Sequence, residues 1–137
     1  MPITQRPDLF RVGLPLVPLT DMIRYPGSGS GQTWIPEYGS AAVPSQFAAL
    51  FAYSPYHHVQ PGAAYPSVLA LSADSDDRVD PMHARKFVAA LQSASSGGPV
   101  LLSTQRNAGH RGADAIKRWV EDEADAYAFT LSEMGVP

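Results

Sequence analysis

The chain has 137 residues, ten basic and thirteen acidic side chains, a formal charge of −3 and no cysteine. With 45% apolar residues it has the material for one globular core, which excludes disorder for want of apolar residues. Mild acidity without a Lys/Arg cluster argues against a nucleic-acid partner, and the lack of cysteine excludes disulfides, thiol catalysis and Cys-based zinc sites.

The N-terminal Met-Pro-Ile-Thr-Gln-Arg-Pro has no apolar signal-peptide core. No run approaches the roughly 18 apolar residues that cross a bilayer, so the expectation is a soluble, cytoplasmic chain with no membrane partner. Residues 9–17 predict one strand, compromised by Pro15, which cannot donate to a ladder. Residues 20–46 contain Pro26, Gly27, Gly29, Gly31, Pro36, Gly39 and Pro44 and predict a long irregular connection. Its Gly27-Ser-Gly-Ser-Gly stretch reads as a flexible turn. A short helix is expected over 45–52, stopped by Ser54-Pro55, because the residue before proline avoids helical backbone.

The second half is more regular. Pro66-Ser-Val-Leu-Ala-Leu-Ser is a continuous apolar run suited to a strand buried on both faces of a parallel sheet. Ala84, Phe87, Val88 and Leu91 then form one helical stripe, ended by Ser95-Ser-Gly-Gly-Pro. Pro99-Val-Leu-Leu-Ser-Thr predicts another strand, and Ile116, Val120, Tyr127 and Leu131 stripe a last helix with a charged, solvated opposite face. Strand, helix, strand, helix is a parallel α/β unit with a right-handed crossover. Three strands leave the segment at 9–17 as an exposed apolar edge, so the unit reads as the end of a larger domain.

Asp76 follows the first of these two strands and His110 follows the second. Parallel neighbours about 4.8 Å apart bring their following loops together at the carboxyl edge, where α/β proteins build sites. An Asp–His pair there fixes the imidazole tautomer and leaves the other ring nitrogen as a general base. The competing reading is that Asp74, Asp76 and Asp77 cap the helix at 82 and solvate the loop. Calcium does not fit this acidic loop, since Val79 stands where glycine is needed and Arg85 where the bidentate glutamate is needed. His57-His58 has no third ligand at metal spacing and reads as loop packing, and His83 reads as solvent-facing.

Six blocks carry a resemblance: Thr4-Gln-Arg-Pro-Asp-Leu-Phe, Thr20-Asp-Met-Ile-Arg-Tyr, Trp34-Ile-Pro-Glu-Tyr-Gly, Tyr53-Ser-Pro-Tyr-His, Asp74-Ser-Asp-Asp-Arg-Val-Asp-Pro and Asn107-Ala-Gly-His. In order and spacing, over residues 4–133, the sequence resembles the prolyl oligopeptidase family of serine peptidases. The resemblance implies an α/β-hydrolase fold, with residues 1–137 as the C-terminal portion of its catalytic domain. It implies a serine peptidase cleaving short peptides after proline, with no metal or organic cofactor. By resemblance Asp76 and His110 are the triad acid and base, and Arg78 binds a substrate carbonyl. Trp34, Tyr38 and Val79 wall the proline pocket, and an aromatic face suits a flat, apolar ring.

The family's nucleophilic serine sits in a Gly-x-Ser-x-Gly elbow, in the chain order Ser, Asp, His. No such elbow occurs in these 137 residues, since Gly27 is followed two residues later by Gly29. The expectation is therefore that the chain by itself is inactive. The alternative is a non-enzymatic remnant that at most associates, through its sheet edge or with the missing N-terminal part. Two positions depart from the family pattern: Arg111 replaces the glycine after the histidine, and Pro15 lies in a strand normally free of proline.

Overall fold

The computed structural model describes residues 2–110 and 115–136; Arg111 lies outside the described residues. Three parallel strands, β1 (Val12–Gly13), β2 (Ser67–Ala73) and β3 (Val100–Gln105), lie in that spatial order. Around them run α1 (Pro2–Gln5), α2 (Ile35–Tyr38), α3 (Pro44–Tyr53), α4 (Met82–Ala94) and α5 (Ala115–Met134). The architecture is α/β, with helices on both faces of the central strand.

Every residue of β2 is buried, as its unbroken apolar run requires of a strand covered on both sides. One face, with Val68 and Ala70, packs on Phe87, Val88 and Leu91 of α4, together with Ile3, Tyr65 and Val100. Burying each of these large side chains stabilises the fold by about 1.5–3 kcal/mol. The other face, with Leu69 and Leu71, meets Ala126 and Phe129 of α5.

The strand expected over 9–17 shrinks to two residues plus one bridge, Leu16 to Leu71. Pro15 supplies only its carbonyl, to the Leu71 N–H, and Val17, whose N–H still donates to the Leu71 carbonyl at 2.9 Å, leaves strand geometry with φ of +41°. Leu9 and Leu16 are 63% and 60% exposed along this edge. The stripe expected to bury the last helix also lies outward: Ile116, Val120, Tyr127 and Leu131 are all exposed. The sheet instead accepts the narrower Ala126 and Phe129 side, where a small residue lets the helix approach.

Residues 20–46 form the expected strandless connection, with short helical pieces along it. Their prolines and glycines make tight turns at Tyr25–Gly27 and Gly31–Trp34, which lead into α2. A second core of Met22, Tyr25 and Leu50, packed by Leu19, Trp34 and Ile35, holds this segment together. No helix among the described residues is long and apolar enough to cross a membrane.

Candidate active site

The last pair in the β2–β3 ladder is Ala73 with Gln105, so both chains leave the sheet at the same level. They remain tied beyond it. Asp74 N–H donates to the Gln105 carbonyl at 3.0 Å, Ser75 N–H to the Ala108 carbonyl at 3.1 Å, and Ala108 N–H to Asp74 Oδ1 at 3.3 Å. Asn107 turns the second loop with φ of +53°, a left-handed backbone that asparagine tolerates. The Asn107 backbone N–H, chief among these contacts, holds the Asp74 carboxyl below its ordinary range.

These ties bring Asp76 and His110 together: Nδ1 of His110 lies 2.9 Å from Oδ2 of Asp76. The Asp76 side chain is buried, and its other oxygen, Oδ1, accepts the N–H groups of Arg78 and Val79, each at 2.9 Å. Both carboxylate oxygens are thus engaged, so the Asp76 side chain has no freedom to swing from the imidazole. The helix-capping role offered for the acidic run falls to Asp80 instead, whose Oδ1 accepts the Met82 N–H at 2.8 Å. With Nδ1–H directed at the carboxylate, Nε2 of His110 is left to accept a proton.

Arg78 and Val79 follow on the same loop; Arg78 is exposed and Val79 half-buried. The Arg78 guanidinium carbon stands 5.9 Å from the centroid of the Trp34 ring, a cation–π contact that joins the acidic loop to the aromatic segment. Trp34 stacks on Tyr25 with centroids 6.4 Å apart, and Tyr38 meets Tyr25 edge-on at 5.9 Å. Asp76, Arg78, Val79, His110 and Trp34 therefore form a connected group, and Tyr38 joins it through Tyr25. Tyr25, which donates its hydroxyl to the Gly39 carbonyl, was not singled out in the sequence.

Asp21 was also missed. Its fully buried carboxylate accepts the N–H groups of Ile23 at 3.2 Å and Arg24 at 3.1 Å, and pairs with Lys86. Burial opposes its charge, but the Lys86 and Arg24 hydrogen bonds prevail and hold its carboxyl below the ordinary range. Lys86 Nζ also lies 4.2 Å from the Tyr56 ring centroid. An acid whose side chain closes a turn two and three residues on is a readable signal in Thr20-Asp-Met-Ile-Arg-Tyr.

His83 is 1% exposed, not solvent-facing: Nδ1 accepts the Asp21 N–H at 3.1 Å, and its carbonyl accepts the Thr20 hydroxyl at 2.7 Å. Burial pushes its pKa, and that of His57, below the ordinary histidine value. His57 and His58 pack the turn at Pro55–His58, with Nδ1 of His57 2.8 Å from the Ser54 hydroxyl and Nε2 of His58 2.7 Å from the Phe51 carbonyl. Among the described residues no cluster of His, Asp or Glu could hold a metal ion.

The sequence matches the profile of the prolyl oligopeptidase family over residues 1–136. A prolyl endopeptidase of Elizabethkingia meningoseptica is 40% identical over 136 residues, 98% of this chain and 19% of that protein. A solved structure from a study of two prolyl endopeptidases superposes with a TM-score of 0.94 at 51% identity, covering 98% of this chain and 20% of that one. Prolyl oligopeptidase B of Galerina marginata, solved bound to a 35mer hydrolysis and macrocyclization substrate, superposes with a TM-score of 0.89 at 29% identity over 98% of this chain and 19% of its own. The chain spans about a fifth of the length of these relatives.

Proposed function

The chain belongs to the prolyl oligopeptidase family of serine peptidases, with its α/β-hydrolase fold, and we propose that it carries the acid–base half of a post-proline peptidase. In this reading residues 1–137 are the C-terminal portion of the catalytic domain, working in the cytoplasm on short proline-containing peptides. The observation that carries it is the 2.9 Å contact between His110 Nδ1 and the buried Asp76 carboxylate.

His110 Nε2 takes the proton of a serine hydroxyl supplied by the remaining part of the domain as the serine oxygen attacks the carbonyl carbon of the proline residue. Asp76 stabilises the imidazolium so formed, and His110 then returns the proton to the leaving amine. Arg78 binds a substrate carbonyl beside the cleaved residue, and Trp34, Tyr38 and Val79 seat the proline ring. The contact between half-buried Trp34 and exposed Arg78 supports this placement, because it sets an apolar face next to a hydrogen-bond donor.

By itself the chain is inactive in this proposal, because a triad without nucleophile and oxyanion donors loses nearly all its contribution. The exposed edge at Leu9 and Leu16 favours association with the remaining strands of such a domain or with other chains. Were the chain a remnant, that association would be its whole role.

The test pairs the 137-residue chain with a polypeptide that carries the serine elbow and remaining strands of a prolyl endopeptidase. The expected result is no fluorophosphonate labelling and no Gly-Pro chromogenic cleavage by the chain alone. Both should appear on pairing and vanish with His110→Ala. Turnover by the lone chain, abolished by His110→Ala, would show the nucleophile misplaced. A stoichiometric complex that never labels would favour the remnant.

A further inference from the structure

The glycine-rich loop at 27–31, expected to be a flexible turn, is held against the acidic loop. Ser30 N–H donates to the Arg78 carbonyl at 3.0 Å. Gly29 adopts φ of +54°, and a Cβ added there would lie 2.7 Å from the Arg78 oxygen and 3.3 Å from the Asp77 oxygen. Both contacts are with backbone, which cannot rotate aside as a side chain can. Gly31 is as confined, since its Cβ would meet the Tyr25 oxygen at 1.8 Å.

The peptide unit between Arg78 and Val79 has two partners. Its C=O accepts the Ser30 N–H, and its N–H donates to Asp76 Oδ1 at 2.9 Å. Asp76 Oδ2 in turn faces His110 Nδ1. Ser30, this peptide, Asp76 and His110 therefore form one line of hydrogen bonds, each oriented by the one before it. At the other end the Ser30 carbonyl accepts the Thr33 N–H at 2.9 Å and the Thr33 hydroxyl at 2.6 Å, which fixes the turn that carries Trp34.

We propose that Gly29 and the Ser30 backbone N–H are positioning elements: they brace the Arg78–Val79 peptide, and through it set the Asp76 carboxylate that orients His110. The brace gives the aromatic wall and the acid–base pair a common mechanical support, so that a shift at Trp34 is felt at His110. This inference rests on the peptidase reading for its significance, but its test does not need activity.

The experiment uses the full 137-residue chain, labelled with 15N, and reads the His110 ring nitrogens at pH 8, assigned with His110→Gln. The wild-type ring is expected almost entirely as the Nδ1–H tautomer. Gly29→Ala should cut that share at least twofold, toward the value in Asp76→Ala, while Ser30→Ala, which keeps the N–H, should leave it unchanged. A folded Gly29→Ala chain with an unaltered tautomer would overturn the proposal, and so would a Ser30→Ala chain that behaves like Gly29→Ala. Should Gly29→Ala fail to fold, the reciprocal measurement decides: Asp76→Ala should speed hydrogen exchange of the Ser30 amide at least tenfold, and an unchanged rate refutes the brace. Failure of the peptidase reading appears separately, as absent serine labelling with an intact tautomer response.

Discussion

His110 and Asp76, 34 positions apart in the chain, meet at 2.9 Å because two neighbouring parallel strands end at the same level and their loops stay hydrogen-bonded beyond the sheet. The carboxylate is spent on three N–H groups at once: the imidazole and the backbones of Arg78 and Val79. It shapes its own turn and aims its partner.

Asp76→Asn separates those two tasks. The amide oxygen can still accept the Arg78 and Val79 N–H groups, so the turn survives. The NH2 group then faces His110 and imposes the wrong tautomer. In the serine-complemented complex kcat should fall about ten-thousand-fold. The measurement is cleavage of a Gly-Pro chromogenic peptide, with urea unfolding showing little change. A loss under tenfold would remove Asp76 from the triad.

In the proposed function Trp34 contacts substrate through its ring. Trp34→Ala should raise KM for the Gly-Pro peptide about tenfold, near 1.4 kcal/mol of lost aromatic contact. A matched Gly-Ala peptide should be affected less. Equal effects on both peptides would mean that Trp34 supports the loop and does not read proline.

Lys86→Met leaves the buried Asp21 carboxylate with Arg24, two backbone N–H donors and, at 3.9 Å, the His57 ring. The expected destabilisation is about 2–3 kcal/mol, below the roughly 3–5 of a fully buried pair, because Lys86 retains some solvent contact. Urea unfolding of this variant, of Asp21→Asn and of the double variant forms the cycle. Additive losses would show that the two side chains do not couple.

Stability should fall on mild acidification. Burial depresses the His83 pKa, with Asp21 and Asp80 opposing and Lys86 reinforcing the shift. Below the ordinary value of about 6.5 the unfolded chain binds a proton that the folded chain refuses. The contribution is complete above that pH and is lost as pH drops toward the folded value, at no more than about 1.4 kcal/mol per pH unit for each such group. His57, depressed in the same direction, adds to the slope. Urea midpoints at pH 7.5 and 5.5 should differ less in His83→Asn than in the wild type; equal differences would place the effect elsewhere.

Residue pattern alone determined the α/β order, the buried strand β2 with its neighbour β3, the stripe of α4 and the side-by-side loops that carry Asp76 and His110. Those features follow from local periodicity and from one short crossover, which leaves the chain little choice of neighbour. The tertiary structure decided what depends on distant partners. His83 reads as a surface histidine until the Asp21 N–H arrives from 62 positions away and buries it. The Ile116, Val120, Tyr127 and Leu131 stripe reads as a core face, yet the sheet takes the flank with Ala126, because helix packing rewards the side that can come closest. Gly27-Ser-Gly-Ser-Gly reads as slack chain, but its middle residue, Gly29, sits where two backbones touch, and that contact exists only once Arg78 is folded against it.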